Sequence, residues 1–278
     1  MFGVSKQGYY SRIARQKKSL EIDHQVLKMV DEIRKEMPHT GTRKLYAELQ
    51  VQLKHLGIKM GRDALFNLLR NHGLLIRKSK SYHITTDSKH FFYRSPNLLK
   101  KTDITHAEQA FACDITYIKT DKCYTYLSLV TDLYSKKIMG WHLADNMKVE
   151  LVKAALKMAN QNRIHSTKEI IHHSDRGIQY CCPEYTEFAE NLQFKMSTTE
   201  KYDPYENAVA ERINGILKYE FGLRKTIVDL NTARKIIAQA VKTYNTKRRH
   251  WSLELDTPER AHKKYNKHKY KNYSKNAA

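Results

Sequence analysis

Near residue 110 the apolar pattern of this 278-residue chain changes from helical spacing to strand-like runs, and that change confines the fold more than any other feature. The runs Phe111–Lys119, Cys123–Leu133 and Lys137–Leu143 predict three strands joined by short turns, an antiparallel meander. Residues 148–161 return to helical spacing, with Val149, Val152, Leu156 and Met158 on one face. Beyond them a strand is predicted at Glu169–His173, a helix at Pro183–Asn191, a strand at Phe194–Ser197 and a helix at Tyr205–Phe221. The order βββαβαβα implies a mixed sheet flanked by helices, an α/β or α+β core.

Three acids stand in that pattern where a carboxylate needs a reason. Asp114 lies inside the apolar run Phe111–Ile118, where burying a lone carboxylate is costly unless a cation neutralises it. Asp175 follows the predicted strand Glu169–His173 in a turn-like stretch ending at Gly177, and side chains at such exits commonly line sites in helix-covered sheets. Glu211 shares a polar helix row with Asn207, Asn214 and Lys218, while Val209, Ile213, Ile216 and Leu217 make most of the other face. Sixty residues separate the first pair of acids and 35 the second. Three carboxylates suit hard Mg²⁺, and two cations about 4 Å apart serve both oxygens of a phosphodiester displacement. Singly, each acid has a plain alternative: a turn aspartate, a capped carboxylate or a solvated helix face. No Ser-His-Asp arrangement, Walker loop or dinucleotide motif competes.

Charge is segregated along the chain. Residues 1–102 hold 21 basic and 8 acidic side chains, residues 103–241 hold 18 of each, and residues 242–278 hold 11 against 3. A neutral centre between basic arms fits a folded core whose flanks grip a polyanion, because phosphate neutralisation supplies most sequence-independent affinity for DNA. Solubilising surface charge is the alternative. No segment approaches the ~20 apolar residues of a spanning helix, and the N-terminus lacks the apolar core of a signal peptide, so no membrane partner and a cytoplasmic, nucleoid-associated location are expected. Cys113, Cys123, Cys181 and Cys182 form no Cys-x-x-Cys pair, which argues for reduced thiols. His172 and His173 near Cys181 and Cys182 leave a zinc site as an alternative, although adjacent ligands rarely converge on one tetrahedral ion.

Ahead of the core, Ile22, Val26, Leu27, Val30 and Ile33 predict a helix over 22–36 that ends before Pro38. A second helix is predicted over Thr42–Leu56, stopped by Gly57, and a third over Arg62–Asn71, stopped by Gly73. Residues 1–76 thus make a helical, helix-turn-helix-like module, with Arg43, Lys44 and Arg62 as candidate DNA contacts. A bundle with solvated cations gives the same pattern. Residues 77–104 are basic and aromatic without a period, a linker suited to tracking a DNA backbone. The catalytic core then covers 105–225, and a C-terminal helix with a basic tail covers 226–278. The tail Lys263–Lys275 is expected to be disordered without DNA.

The stretches Asp114-Ile-Thr-Tyr-Ile118, His173-Ser-Asp-Arg-Gly-Ile-Gln-Tyr180 and Asn207-Ala-Val-Ala-Glu-Arg-Ile-Asn-Gly215, with Tyr244-Asn, Arg249-His and Thr257-Pro258, resemble the integrase-core transposases of bacterial insertion sequences. The match is to the IS-three family, where the chain looks like the second reading-frame product. The 35-residue interval and a basic residue seven positions after the Glu, here Lys218, belong to that family's signature. Gly41-Thr-Arg-Lys-Leu45 resembles the helical module that precedes the core, and Gly3-Val-Ser-Lys-Gln-Gly-Tyr-Tyr10 resembles the usual opening. The resemblance implies an RNase H-like integrase core whose catalytic Asp114, Asp175 and Glu211 hold two Mg²⁺ ions, with Mn²⁺ as a substitute. It implies that Lys218 contacts transposon-end DNA, and Asn207 on the same row is the core's other candidate contact. It further implies nicking at the element's ends, attack of the freed 3′-hydroxyl on a second phosphodiester, and no covalent enzyme intermediate. Partners implied are terminal-repeat and target DNA, further copies of the chain on paired ends, and a first-frame helix-turn-helix protein or fusion. Phe111 stands where the family usually has Trp, the first-frame domain is absent, and no His-His-Cys-Cys zinc module is evident. The competing readings are a metal-dependent nuclease on the same core, and a non-catalytic DNA-binding regulator derived from a decayed element.

Overall fold

The computed structural model describes residues 5–76, 91–165, 169–200 and 207–264, in two compact units, 1–80 and 81–278. Half of the predicted linker, 77–90, and most of the basic tail, 265–278, lie outside the described residues.

In the first unit, helix α1 (Lys6–Glu36) begins well before the apolar spacing predicts. Its first half is exposed, so no apolar stripe marks it; Ser5 caps it by accepting the Gly8 N–H at 3.1 Å. Its buried Val26 and Val30 meet Leu45, Leu49 and Leu53 of α2 (Thr42–His55) and Leu65, Leu68 and Leu69 of α3 (Arg62–Asn71). Gly57 and Gly73, both at φ +66°, let the chain double back after α2 and α3. Ile58 N–H then reaches Leu53 O at 2.9 Å and Leu74 N–H reaches Leu69 O at 2.8 Å, closures that favour a residue without Cβ.

The second unit contains β1 (Ala110–Lys119), β2 (Tyr124–Asp132), β3 (Ile138–Ala144), α4 (Val149–Gln161) and β4 (Ile170–Ser174). Then come α5 (Ile178–Cys181), α6 (Pro183–Asn191), β5 (Phe194–Thr198), α7 (Ala208–Glu220) and α8 (Leu230–Thr246). The one-turn α5 is an addition to the predicted order. The sheet runs β3-β2-β1-β4-β5, antiparallel through the meander and parallel where β4 and β5 join β1. Parallel neighbours require crossovers, and the helices between β3 and β5 supply them.

Along β1 the side chains alternate between two cores. Phe111 and Cys113 join α4 and α6 residues such as Leu156 and Tyr185. Ala110 and Ala112 face Leu133 and Ala210 of α7. α4 presses on β3 at Gly140, where an added Cβ would stand 2.1 Å from Ala155 O. The exposed edge of β3 is met by α8: Asn245 Oδ1 accepts the Ile138 N–H and Asn245 Nδ2 donates to Ile138 O, both at 2.9 Å. The end of the predicted linker lies along β5, where Leu98 N–H donates to Ser197 Oγ at 3.0 Å and Thr198 Oγ1 donates to Ser95 O at 2.6 Å. No described helix is long and apolar enough to cross a membrane.

Candidate active site

Strand register brings the two aspartates together. β1 and β4 pair in parallel, Ala112 with His173 and Cys113 with Ser174, so the next residues along are Asp114 and Asp175. Neighbouring strands lie about 4.8 Å apart, which sets the two acids side by side where β4 ends. Asp175 Oδ1 accepts the Gly177 N–H at 3.0 Å, an Asx turn leading into α5. A Cβ at residue 177 would stand 3.0 Å from that oxygen, so the glycine leaves the carboxylate room.

α7 brings the third acid. Asn207 Nδ2 donates to Cys113 O at 3.2 Å, and Asn214 Nδ2 donates to Asp114 Oδ2 at 2.6 Å. Glu211 lies one helical turn before Asn214, so this clamp draws the row Glu211, Asn214, Lys218 toward the aspartates. Lys218 Nζ sits 4.1 Å from the Tyr117 ring centroid, a cation–π contact.

The acids repel one another. Asp114 is half-buried as a residue but its carboxyl group is enclosed, and it is pushed up to about 8 by burial first and then by the charge of Asp175, with Glu211 adding. The Asn214 amide and the Ile115 N–H, 2.9 Å from Oδ1, pull the other way. Glu211 is exposed, yet it too is raised, by partial desolvation and by Asp175. Burial lowers the Lys218 ammonium, opposed by Asp114. The ligand atoms of the three acids do not all lie within 4.8 Å of one another, so the carboxylates frame a gap wider than one tight cage. Mutually repelling oxygens around such a gap suit hard divalent cations.

The other sequence candidates fall in different places. Asn207, expected among the DNA contacts, is only 7% exposed, and its amide fastens α7 to β1. Arg43 is exposed on α2 and Lys44 half-buried beside it. Arg62 is exposed at the start of α3, where its Nε donates to Asp63 Oδ1 at 2.9 Å. The zinc alternative does not assemble. His172 and His173 point to opposite faces of β4, His172 toward Tyr185 OH at 2.8 Å and His173 toward Ser197 Oγ at 2.9 Å. Burial, more than any neighbour, drives His172 down to about 3.

Sequence reasoning missed two roles. It placed Asn214 on the polar row without its bond to Asp114, and it left out Tyr117, which the aromatic three residues past Asp114 could have signalled. A cavity of about 820 Å³ bordered by Lys136, His173, Asn207 and Asp256 does not include the acids. A polymer substrate requires an open face rather than an enclosing pocket.

A mixed five-stranded sheet with acids on its central strand, after the neighbouring parallel strand and on a helix crossing them defines an RNase H-like integrase core. Models of the integrase core domain match residues 97–204 and 192–258. The 31 kDa protein of insertion element IS600 from Shigella sonnei is 32% identical, over 95% of this chain and 97% of its own length. The transposase InsF of insertion sequence IS3A from Escherichia coli is 30% identical, over 76% of this chain and 72% of its own length. A solved HTLV-2 integrase catalytic core in complex with magnesium is 19% identical, covers 56% of this chain and 97% of that one, and has a TM-score of 0.45. The chain belongs to the IS3 family of integrase-core transposases and is a DNA transposase, a polynucleotidyl transferase.

Proposed function

We propose that Asp114, Asp175 and Glu211 are the catalytic metal ligands of this transposase and that it both nicks element ends and joins them to target DNA. The observation that carries the reading is the β1–β4 register, which sets Asp114 beside Asp175 under the helix of Glu211. The residues fit two Mg²⁺ ions, or Mn²⁺ in their place: the charge of Asp175 adds to burial in raising both Asp114 and Glu211, and the buried Asn214 Oδ1 beside Asp114 has no partner. When bound, such ions activate an attacking oxygen and stabilise the leaving one.

The chain's own residues position the reactants. Asn214 fixes the orientation of Asp114, and the Gly177 N–H fixes that of Asp175. Lys218, steadied on Tyr117, is placed to meet a phosphate of the element's end. In the first step water attacks phosphorus and a 3′-hydroxyl leaves. In the second, that hydroxyl attacks a target phosphodiester, displacing its 3′-oxygen, with no covalent link to the protein. Arg43, Lys44 and Arg62 add backbone contacts from the helical module. The working particle is several copies on paired ends, with a first-frame helix-turn-helix partner or fusion reading the terminal repeat, in the cytoplasm at the nucleoid.

Labelled terminal-repeat DNA, target plasmid and Mg²⁺ test this. Wild type nicks and joins, and Glu211→Gln does neither. Joining that survives the substitution sinks the triad, whereas nicking without joining by wild type supports a nuclease.

A further inference from the structure

One trio of ligating side chains among the described residues has its donor atoms all within 4.8 Å of one another, and it lies away from the three acids: Glu108, His165 and His262. They come from three separate stretches, ahead of β1, after α4 and beyond Thr257. Glu108 and His262 are fully buried, and His165 is half-buried. His262 Nε2 lies 3.1 Å from Glu108 Oε1, near the ~3.3 Å between neighbouring ligands of a tetrahedral ion with bonds of about 2.0–2.1 Å.

Each donor is held from behind. His262 Nδ1 faces Ser135 Oγ at 3.0 Å and Asp132 Oδ2 at 3.4 Å, the carboxylate-behind-imidazole arrangement that fixes a metal-binding tautomer. Glu108 Oε1 accepts the Ile164 N–H at 2.7 Å and Oε2 accepts the His165 N–H at 3.1 Å. The His165 ring stands 5.1 Å from that of His262, with its Nε2 3.1 Å from the His262 carbonyl oxygen.

A proton on His262, shared between Glu108 and Asp132, accounts for those two carboxylates and raises the imidazole despite its burial. The second imidazole, His165, is tethered through Nε2 to the His262 carbonyl and converges on the same point, with the Arg163 guanidinium 3.7 Å from Glu108 Oε2 on the flank. Two imidazoles and one carboxylate, leaving a fourth position, are the donor set of Zn²⁺ and its borderline neighbours rather than of oxygen-seeking Mg²⁺.

We propose that Glu108, His165 and His262 bind one Zn²⁺-class cation, distinct from the catalytic metals, which pins the C-terminal segment to the sheet. Binding exchanges a proton on His262 for the metal, which then joins three stretches already linked by hydrogen bonds, ion pairs and a ring contact.

The test is metal stoichiometry of the full-length protein after dialysis against Zn²⁺, with Co²⁺ as a spectroscopic probe. Expected are one tight equivalent per chain, retained in Asp114→Asn, visible Co²⁺ ligand-field bands displaced by Zn²⁺, and a higher Tm with Zn²⁺ than with chelator. His165→Gln should weaken binding about tenfold or more and abolish the Co²⁺ bands. Because His262→Gln also breaks a buried network, His165→Gln, at a half-buried position, is the deciding variant. Absence of stoichiometric Zn²⁺, binding unchanged in His165→Gln, or loss of the tight equivalent in Asp114→Asn would each overturn the proposal.

Discussion

Replacing Asn214 with alanine asks whether the helix carrying Glu211 also sets Asp114 for catalysis. The Asn214 amide donates to Asp114 Oδ2 at 2.6 Å from a position only 6% exposed. A hydrogen bond to an ionised group is worth about 1.5–3 kcal/mol, and about 1.4 kcal/mol is a factor of ten in rate. The variant should therefore nick DNA roughly ten- to 150-fold more slowly when the ionised, oriented carboxylate limits the step. The amide is one of the groups that lower Asp114, so its loss raises that carboxyl further above its already elevated value. Ionisation then requires higher pH, and the defect should be larger at pH 7 than at pH 9 and partly relieved by more Mg²⁺. The assay is single-turnover nicking of labelled terminal-repeat DNA over pH and Mg²⁺, with urea unfolding as the control for fold. A rate equal to wild type at every pH and Mg²⁺ concentration would refute the reasoning.

Gly140→Ala places a Cβ 2.1 Å from Ala155 O, so α4 or β3 must shift; about 1–3 kcal/mol should be lost in urea unfolding, and wild-type stability would count against so close a crossing. Glu259 bridges Lys137 at 3.0 Å and Lys263 at 2.8 Å, and although burial raises its carboxyl, the two ammonium groups outweigh burial and lower it. A depressed carboxyl contributes stability that is complete above its unfolded value, about 4.5, and is lost as pH falls through the folded one. Thermal melts should thus find Glu259→Gln less stable at pH 7, with the gap closing as pH falls below about 4.5; a gap that widens in acid contradicts this. Lys218→Gln should weaken DNA binding and reduce the salt slope by about one without moving Tm, and an unchanged slope would argue against a phosphate contact.

The order of strands and longer helices along the chain was legible because each of them from β1 to β5 carries its own periodicity, whereas the one-turn α5 is too short to show one. Strand ends differ from the predicted ones by about a residue, as turns such as 133–137 blur them. The first half of α1 was not legible, because an exposed polar helix has no apolar stripe to read. The pairing of Asp114 with Asp175 was not legible either, since it depends on the parallel register of β1 with β4, which no local pattern states. Helical spacing put Asn207 and Asn214 on one row, but the packing partner of each amide decides whether it faces DNA. Both turned out to face β1. The trio Glu108, His165 and His262 is the extreme case, since 96 residues separate its last two members.

A site in which burial and the charge of Asp175 raise Asp114 and Glu211 works against its own folding, so its elements have to be held from elsewhere. α7 is fastened near both ends: at its start Asn207 bonds β1, and at its finish Glu220 accepts from Arg248 Nε and Nη2 at 2.7 and 2.8 Å. Arg248 follows α8, the helix whose Asn245 closes the edge of β3. The Tyr244-Asn motif, distant in sequence from every acid, thereby braces the helix that carries Glu211, and Tyr244 OH adds a bond to Lys136 O at 2.8 Å. A boundary drawn at 225/226 would cut through this brace. On the proposed role of Glu211, the C-terminal helix would act on catalysis through the position of α7, without any of its side chains touching DNA.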